Sequence, residues 1–180
     1  GVCTDPPYEL PAAQVAAALN ACAPVAVLLC GESQAFALAQ EWVFRLCLVW
    51  VHRQPRLVLS KYRPINYHTL ALIVTRDKKM KAGWIKPSRD FGSVISLEET
   101  EYDSEHGHGK NPELFVRMLS GFPSWRTVAD PFLGSGSTVI ACERTGRSLV
   151  GAEIRPEFLA VALERAQRYG LDPQPSRGNS

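Results

Sequence analysis

The feature that most restricts how this chain can fold is a glycine-rich turn between an apolar run and a helical pattern, within residues 128–141. The apolar run ends at Asp130, glycines follow at positions 134 and 136, and the helical pattern begins at Ser137 or Thr138. This order predicts a strand, a tight loop and a helix. Glycine removes the Cβ atom where a ligand approaches the backbone, and the start of a helix offers unpaired N–H groups. The stretch therefore predicts a nucleotide-binding turn.

The turn by itself does not identify its ligand. It lacks the Gly-Lys-Ser/Thr ending of a phosphate-binding loop, and Val139 stands where the third glycine of the G-x-G-x-x-G dinucleotide pattern would be. A further acid, Glu153, lies near the end of the next apolar run, 17 residues beyond Gly136. An acid at the end of a second strand can accept hydrogen bonds from both hydroxyls of a ribose. An N-cap or a surface charge is the alternative.

The rest of the chain alternates strand and helix patterns. Strands are predicted at 1–4, 25–31, 44–51, 69–75 and 148–154, and helices at 11–23, 33–43, 112–119 and 156–169. This alternation predicts an α/β sheet with helices on both faces. Residues 76–109 are polar, contain several glycines and predict loops with a short hairpin.

Length and composition predict one globular domain. Of the 180 residues, 46% are hydrophobic and 21% charged, and no apolar run approaches the roughly 18 residues of a membrane span. We expect residues 1–170 to form the domain, residues 171–180 to be a disordered tail, and the protein to be cytoplasmic. Five scattered cysteines without a C-x-x-C pair predict buried free thiols and no metal site. His106 and His108 are expected to be exposed loop residues.

Basic residues are concentrated in the middle of the chain. Between Arg45 and Arg89 there are eleven Lys or Arg residues and one acid, Asp77, a local balance of +10. Such a concentration predicts a polyanionic partner, and a solvated surface is the alternative. The residues predicted to contact nucleic-acid phosphates are Arg53, Arg56, Lys61, Arg63, Lys78, Lys79, Lys81, Lys86 and Arg89.

Three short motifs together indicate a family. Asp-Pro-Pro-Tyr at 5–8 forms a rigid turn after a strand, because its two prolines lack N–H donors and fix φ. With Asp-Pro-Phe-Leu-Gly-Ser-Gly at 130–136 and Gly-Ala-Glu-Ile at 151–154, the chain resembles the amino-methylating DNA methyltransferases that use S-adenosylmethionine. The motif order resembles their circularly permuted β class. The resemblance implies a Rossmann-like, doubly wound, mostly parallel sheet of the class I methyltransferase type, with an antiparallel strand near one edge.

The resemblance also implies roles for the residues of the first motif. Asp5 and the carbonyl of Pro6 would accept hydrogen bonds from the target amine, within the rigid turn that Pro7 completes. Tyr8 would stack on a base taken out of the duplex. Family members that act on cytosine usually carry Ser at the position of Asp5, so Asp5 favours adenine.

The cofactor would bind to the other two motifs. The implied cofactor-binding residues are Asp130, Phe132, Gly134, Ser135, Gly136, Ser137, Thr138, Glu153 and Ile154. Lys110, four residues after His106, would pair with the methionine carboxylate, but the family's Lys-Pro pair is interrupted here by Asn111. A solvated loop lysine is therefore the alternative for Lys110.

These observations predict methyl transfer to N6 of adenine in DNA. Transfer to N4 of cytosine or to adenine in RNA, and a catalytically silent subunit that binds nucleic acid or cofactor, are the alternatives. Residues 76–93 occupy the target-recognition position of the family. The family normally has a strand before Asp-Pro-Pro-Tyr, so we expect the sheet edge beside Glu153 to be incomplete, or to be completed by a homodimer or a partner chain.

Overall fold

The computed structural model describes residues 1–56, 66–80, 91–97 and 110–174. The strands are β1 (Val2–Thr4), β2 (Val25–Cys30), β3 (Val43–Arg56), β4 (Asn66–Thr75), β5 (Val94–Ser96), β6 (Thr127–Asp130) and β7 (Ser148–Gly151). The helices are α1 (Ala12–Cys22), α2 (Glu32–Glu41), α3 (Pro112–Ser120), α4 (Ser137–Arg144) and α5 (Pro156–Arg168). The helices and strands predicted from periodicity are present, with β3 longer and β7 shorter than expected.

The seven strands form one sheet in the order β5-β3-β4-β2-β1-β6-β7. β4 is antiparallel to both of its neighbours, β2 and β3, and the other neighbouring pairs are parallel. The predicted mostly parallel sheet with one antiparallel strand near an edge is confirmed. Residues 94–96 pair in parallel with β3, and Ile95 is buried in the core beside that strand. The rest of the segment in which a short hairpin was expected lies largely outside the described residues.

Two hydrophobic cores cover the two faces of the sheet. Along β2 the side chains alternate between them, with Val25, Val27 and Leu29 in one core and Ala26, Leu28 and Cys30 in the other. The first core also contains apolar residues of α3 and α4, and the second contains those of α1 and α2. Burial on both faces explains why β2 reads as a continuous apolar run rather than an alternating one.

The composition predicts buried free thiols, and the structure shows them for some of the cysteines. Cys3, Cys30 and Cys142 are buried free thiols, whereas Cys22 is exposed.

No helix among the described residues is both long and apolar enough to cross a membrane.

The parallel strands end at one edge of the sheet, which is called the carboxyl edge below. Asp5 follows β1 at this edge, and Asp130 ends β6 there. The β3–β4 pair extends past it: Cys30, the last residue of β2, is level with Leu70 of β4 and Val49 of β3. Residues 50–56 of β3 therefore project beyond the carboxyl edge.

The turn after β4 lies at the opposite edge of the sheet. The Arg76 N–H donates a 2.9 Å hydrogen bond to the carbonyl of Pro24, the residue before β2. Arg45, near the start of β3, donates to the carbonyls of Asp77 and Lys78 at 3.0 and 2.7 Å. Residues 76–80 are therefore held close to the amino ends of the parallel strands.

Candidate active site

A cavity of about 850 Å³ lies at the carboxyl edge of the sheet. Its volume is within the range of small-molecule sites, roughly 300–1,000 Å³. The structure brings all the predicted catalytic and cofactor-binding residues except Gly136 into its wall: Asp5, Pro6, Pro7, Tyr8, Lys110, Asp130, Phe132, Gly134, Ser135, Ser137, Thr138, Glu153 and Ile154. Three motifs that are far apart in sequence therefore share one cavity.

The two carboxylate oxygens of Asp5 have different environments, and one of them has no partner among the described residues. Its Oδ2 lies 2.9 Å from Nζ of Lys110, and the two side chains are 19% and 15% exposed. Its Oδ1 is buried and has no hydrogen-bond partner among the described residues. A buried carboxylate oxygen without a donor costs free energy, so Oδ1 is suited to accept a hydrogen bond from a ligand.

Gln34 of α2 holds the turn that contains Asp5. Its amide Nε2 donates to the carbonyls of Pro7 and Leu10 at 3.1 and 3.0 Å, and the side chain is buried. Sequence reasoning missed this residue. The available signal was its position four residues before the buried Leu38, which places a polar side chain on the buried face of α2.

Asp130 connects β1 to the glycine-rich turn. Its Oδ1 accepts hydrogen bonds from the Thr4 hydroxyl at 2.5 Å and from the Phe132 N–H at 3.1 Å, and its Oδ2 accepts one from the Thr138 hydroxyl. Burial raises the pKa of Asp130 to about 6, although the three hydrogen bonds act in the opposite direction. Both oxygens of this carboxylate accept hydrogen bonds from the protein. Asp130 therefore links the end of β1 to the glycine-rich turn and to the start of α4.

The two glycines of the turn serve different purposes. Gly134 and Gly136 have φ values of +54° and +82°, in the left-handed region that favours glycine. A Cβ on Gly136 would lie 3.0 Å from Cβ and 3.1 Å from Cα of Ala162 in α5. Gly136 therefore allows α5 to pack against the turn, and Gly134 is the glycine that lines the cavity.

Two backbone N–H groups hold the carboxylate of Glu153. This residue follows β7, on the other side of β6 from the turn that contains Asp5. The Gly134 N–H donates to its Oε2 at 2.7 Å and the Arg155 N–H donates to its Oε1 at 2.9 Å. Ile154 beside it is 94% exposed, although it is a large apolar residue. An oriented carboxylate next to an exposed apolar side chain suits a ribose and an adenine ring, so these residues fit the adenosine part of S-adenosylmethionine.

Two further contacts fix the loops around the cavity. Arg165 of α5 donates to the carbonyl of Ser135 at 2.8 Å. The Ser137 hydroxyl donates to the carbonyl of Lys110 at 2.6 Å, which joins the segment before α3 to the start of α4. Next to it, the Asn111 side chain accepts from the Glu113 N–H at 2.9 Å and caps α3.

The predicted phosphate contacts do not lie together. Lys78 and Lys79 are exposed at the amino edge of the sheet, opposite Asp5, so the structure does not bring them to the cavity. Arg53 and Arg56 lie on the part of β3 that projects beyond the carboxyl edge. The remaining predicted contacts, Lys61, Arg63, Lys81, Lys86 and Arg89, lie outside the described residues, as do His106 and His108.

The described ranges contain no cluster of three or more His, Cys, Asp or Glu side chains that could hold a metal ion.

Several solved structures share this architecture. The chain matches the crystal structure of the M1.HpyAVI–SAM complex with a TM-score of 0.73 and 24% identity, covering 91% of this chain and 87% of the other. It matches PvuII DNA methyltransferase (cytosine-N4-specific) with a TM-score of 0.68 and 16% identity, covering 97% and 81% of the two chains. The chain therefore shares the α/β fold of these proteins.

Residues 57–164 match the family model described as DNA methylase, so the chain belongs to this N6/N4 DNA methylase family. This confirms the recognition made from the motifs, together with the methyltransferase fold and S-adenosylmethionine as the cofactor of the class. The circular permutation stays a prediction.

Two relatives are named type II methyltransferases. The chain is 27% identical over 144 residues to M.Cfr9I of Citrobacter freundii and 30% identical over 149 residues to M.SmaI of Serratia marcescens. Each match covers 74% of this chain, and 48% and 50% of the respective relative. The chain thus spans about half the length of these relatives.

Proposed function

We propose that this chain transfers a methyl group from S-adenosylmethionine to the N6 amine of adenine in DNA. The observation that carries the proposal is that Asp5, whose buried Oδ1 has no partner among the described residues, lines the same cavity as the glycine-rich turn and Glu153. Family membership supports DNA as the substrate, and the names of M.Cfr9I and M.SmaI support a type II modification role.

The residues of the first turn supply the acceptors that this reaction needs. The lone pair of an exocyclic adenine amine is delocalised into the ring, which makes the amine a poor nucleophile. Hydrogen bonds from its two N–H groups to Asp5 Oδ1 and to the Pro6 carbonyl would favour a tetrahedral nitrogen, whose lone pair is no longer delocalised into the ring and can point at the methyl group. The bound cofactor supplies an electrophilic methyl group on a sulfonium. The protein contributes chiefly orientation of the two reactants.

Tyr8 and Gln34 support the same geometry. The ring of Tyr8 lines the cavity and offers a stacking face for a base extruded from the duplex, which offsets part of the unstacking cost. Gln34 fixes the carbonyls of Pro7 and Leu10 on either side of Tyr8. The acceptors and the stacking ring are thereby held on one rigid segment.

On the cofactor side, Glu153 would hold the ribose hydroxyls, and Ile154 would cover the adenine. Phe132, Gly134 and Ser135 line the cavity between Glu153 and Asp5's turn and would contact the remainder of the cofactor. The pocket supports S-adenosylmethionine over a dinucleotide because the turn lacks the third glycine of the dinucleotide pattern.

Transfer to N4 of cytosine is the second candidate. Cytosine N4 is also an exocyclic amine with two N–H groups, so the acceptors of Asp5 and Pro6 suit it as well. The matched family covers both reactions. Asp5 favours adenine because members that act on cytosine usually have Ser at this position.

The proposal is tested with S-adenosylmethionine labelled in its methyl group and a pool of DNA duplexes of random sequence. After digestion to nucleosides we expect the label in N6-methyladenine. Label confined to N4-methylcytosine would contradict the adenine assignment. Cofactor binding by calorimetry without any transfer would instead favour the catalytically silent subunit.

Asp5→Asn is the matched variant for this assay. Its side chain has nearly the same shape but one carbonyl acceptor in place of the carboxylate. We expect transfer to fall by at least about a hundredfold, because the amine loses its charged acceptor. Transfer at the wild-type rate would refute the assigned role of Asp5.

A further inference from the structure

Lys110 contacts both groups that the target base needs. Its Nζ lies 2.9 Å from Oδ2 of Asp5 and 5.3 Å from the centroid of the Tyr8 ring. The first contact is an ion pair with the other oxygen of the carboxylate whose Oδ1 is the proposed amine acceptor. The second is a cation–π contact with the proposed stacking ring. The ammonium therefore offsets the charge of Asp5 and occupies space over the Tyr8 ring.

Two hydrogen bonds hold the backbone around Lys110, so a movement of its ammonium group involves the side chain alone. Its carbonyl accepts the hydrogen bond from Ser137 at the start of α4, and Asn111 after it caps α3. Among the described residues, the ammonium group contacts Asp5 through an ion pair and Tyr8 through a cation–π contact. A lysine side chain has a flexible four-carbon stem, and rotation about its bonds moves the charge without moving the backbone.

The chemistry of the methyl donor provides a competing partner. Its methionine part ends in a carboxylate a few bonds from the sulfur, and the sulfur must approach the amine held by Asp5. The carboxylate thus belongs at the Asp5 end of the cavity. Among the described residues that line the cavity, the cations are Lys110 and Arg155, and Arg155 lies 4.1 Å from the Phe158 ring beside Glu153.

We propose that Lys110 is a switch between Asp5 and the carboxylate of the bound methyl donor. In the free protein it offsets the charge of Asp5 through Oδ2 and covers Tyr8. When the donor binds, the ammonium moves to the donor's carboxylate, which strengthens Asp5 as a hydrogen-bond acceptor and exposes the Tyr8 ring to the base. Lys110 is a positioning residue in this scheme, and the donor binds before the extruded base. The inference rests on the proposed function and adds an order of binding to it.

The test uses two ligands that differ in the carboxylate. S-adenosylhomocysteine has the methionine-derived carboxylate, whereas 5′-methylthioadenosine has the same adenosine and sulfur without it. Their affinities are measured by calorimetry for the wild-type chain, Asp5→Asn, Lys110→Met and the double variant. Arg126→Met, an exposed residue at the amino edge, serves as the matched control for loss of a cation.

We expect Asp5→Asn to bind S-adenosylhomocysteine about three- to tenfold more tightly than the wild type, because the ion pair no longer competes for Lys110. The same substitution in the Lys110→Met background should change this affinity by less than about twofold. Neither Asp5→Asn nor Lys110→Met should change the affinity for 5′-methylthioadenosine. Arg126→Met should behave as the wild type with both ligands.

Two results would overturn the switch while leaving the proposed function intact. One is an unchanged or weakened affinity for S-adenosylhomocysteine in Asp5→Asn. The other is tighter binding of S-adenosylhomocysteine after Asp5→Asn that persists in the Lys110→Met background. That result would report simple repulsion between Asp5 and the ligand carboxylate. If neither ligand binds the wild type, the proposed function and the switch fall together. Lys110→Gln repeats the cycle if Lys110→Met does not fold.

Discussion

At the scale of single residues, three carboxylates around one cavity have three different environments. Asp5 pairs with Lys110 through one oxygen and leaves the other without a described partner. Asp130 is buried, with hydrogen bonds to both oxygens. Glu153 accepts from two backbone N–H groups. The same chemical group therefore has a different set of partners in each place, and the proposed roles of amine acceptor for Asp5 and ribose contact for Glu153 follow from these surroundings.

The environment of Asp130 predicts a pH-dependent stability. Its pKa in the folded protein is about 6, above its ordinary value of 3.8, so the folded state holds the proton more tightly than the unfolded state. The stability it contributes is present in full below the ordinary pKa and is lost as the pH rises through about 6. From about pH 4 to pH 7 we expect the wild type to lose about 2 kcal/mol relative to Asp130→Asn.

Urea unfolding of both proteins across this pH range measures the effect. The difference between their free energies of unfolding removes the contribution of carboxyl groups that do not interact with Asp130. A difference that does not change with pH would mean that Asp130 titrates like an exposed carboxyl group.

Gln34 is predicted to act on the reaction rather than on cofactor binding. Gln34→Leu removes the donor to the Pro7 and Leu10 carbonyls and loosens the turn that contains Asp5. We expect transfer to fall by about tenfold to a hundredfold, because misplaced acceptors orient the amine poorly. The affinity for S-adenosylhomocysteine should change by less than about twofold, because the substituted contact lies outside the glycine-rich turn.

Gln40→Leu is the control for this prediction. Gln40 is exposed on the same helix, so the substitution changes helix composition without touching the turn. Single-turnover transfer rates and calorimetry compare the variants. Equal rates for Gln34→Leu and Gln40→Leu would exclude a positioning role for Gln34.

At the scale of secondary-structure elements, the packing of α5 on the glycine-rich turn is the contact that most depends on one residue. Gly136→Ala would place a Cβ against Cβ and Cα of Ala162, and the backbone cannot move away as a long side chain could. The left-handed φ adds its own cost. We expect a loss of about 2–4 kcal/mol in the free energy of unfolding.

Gly146→Ala separates the two causes. Gly146 also has a left-handed φ, +64°, but a Cβ there would meet no other atom within 4 Å. This variant should lose about 1–2 kcal/mol from backbone strain alone. Chemical denaturation of both variants measures the difference, and equal losses would mean that α5 does not pack closely on the turn.

At the scale of the whole molecule, the sheet separates basic residues that belong to one basic stretch of the sequence. Lys78 and Lys79 follow the antiparallel strand β4 to the amino edge, whereas Arg53 and Arg56 project past the carboxyl edge on β3. DNA that delivers a base to the cavity must contact the carboxyl edge. The two pairs should therefore contribute unequally to DNA binding.

Replacing both arginines by alanine should weaken DNA binding and reduce the slope of log affinity against log salt by roughly 2, one unit for each lost phosphate contact. Replacing Lys78 and Lys79 together removes the same charge and should leave the slope nearly unchanged. Fluorescence anisotropy with duplex DNA at several salt concentrations compares the two double variants. A larger effect for the lysine pair would place the DNA at the other edge.

The local elements could be predicted because their signals are local. The apolar run of β2, the glycines of the turn and the caps of α3 each lie within a few residues of the structure that they specify. The pairing of residues 94–96 was harder to predict, because their partner strand, β3, lies more than forty residues away in the sequence. Gln34 was missed for a similar reason: its partners, Pro7 and Leu10, lie on another segment.

The sequence by itself determined the family, the alternation of strands and helices, and the residue types of the cavity, since these follow from motifs and periodicity. Tertiary structure decided which charges meet. It placed the ammonium of Lys110 on Asp5, used both oxygens of Asp130 to join two turns, and divided the basic strip between two edges of the sheet. The physical reason is that electrostatic and hydrogen-bond contacts depend on distances of a few ångströms, and the direction of β4 sets these distances for the basic strip.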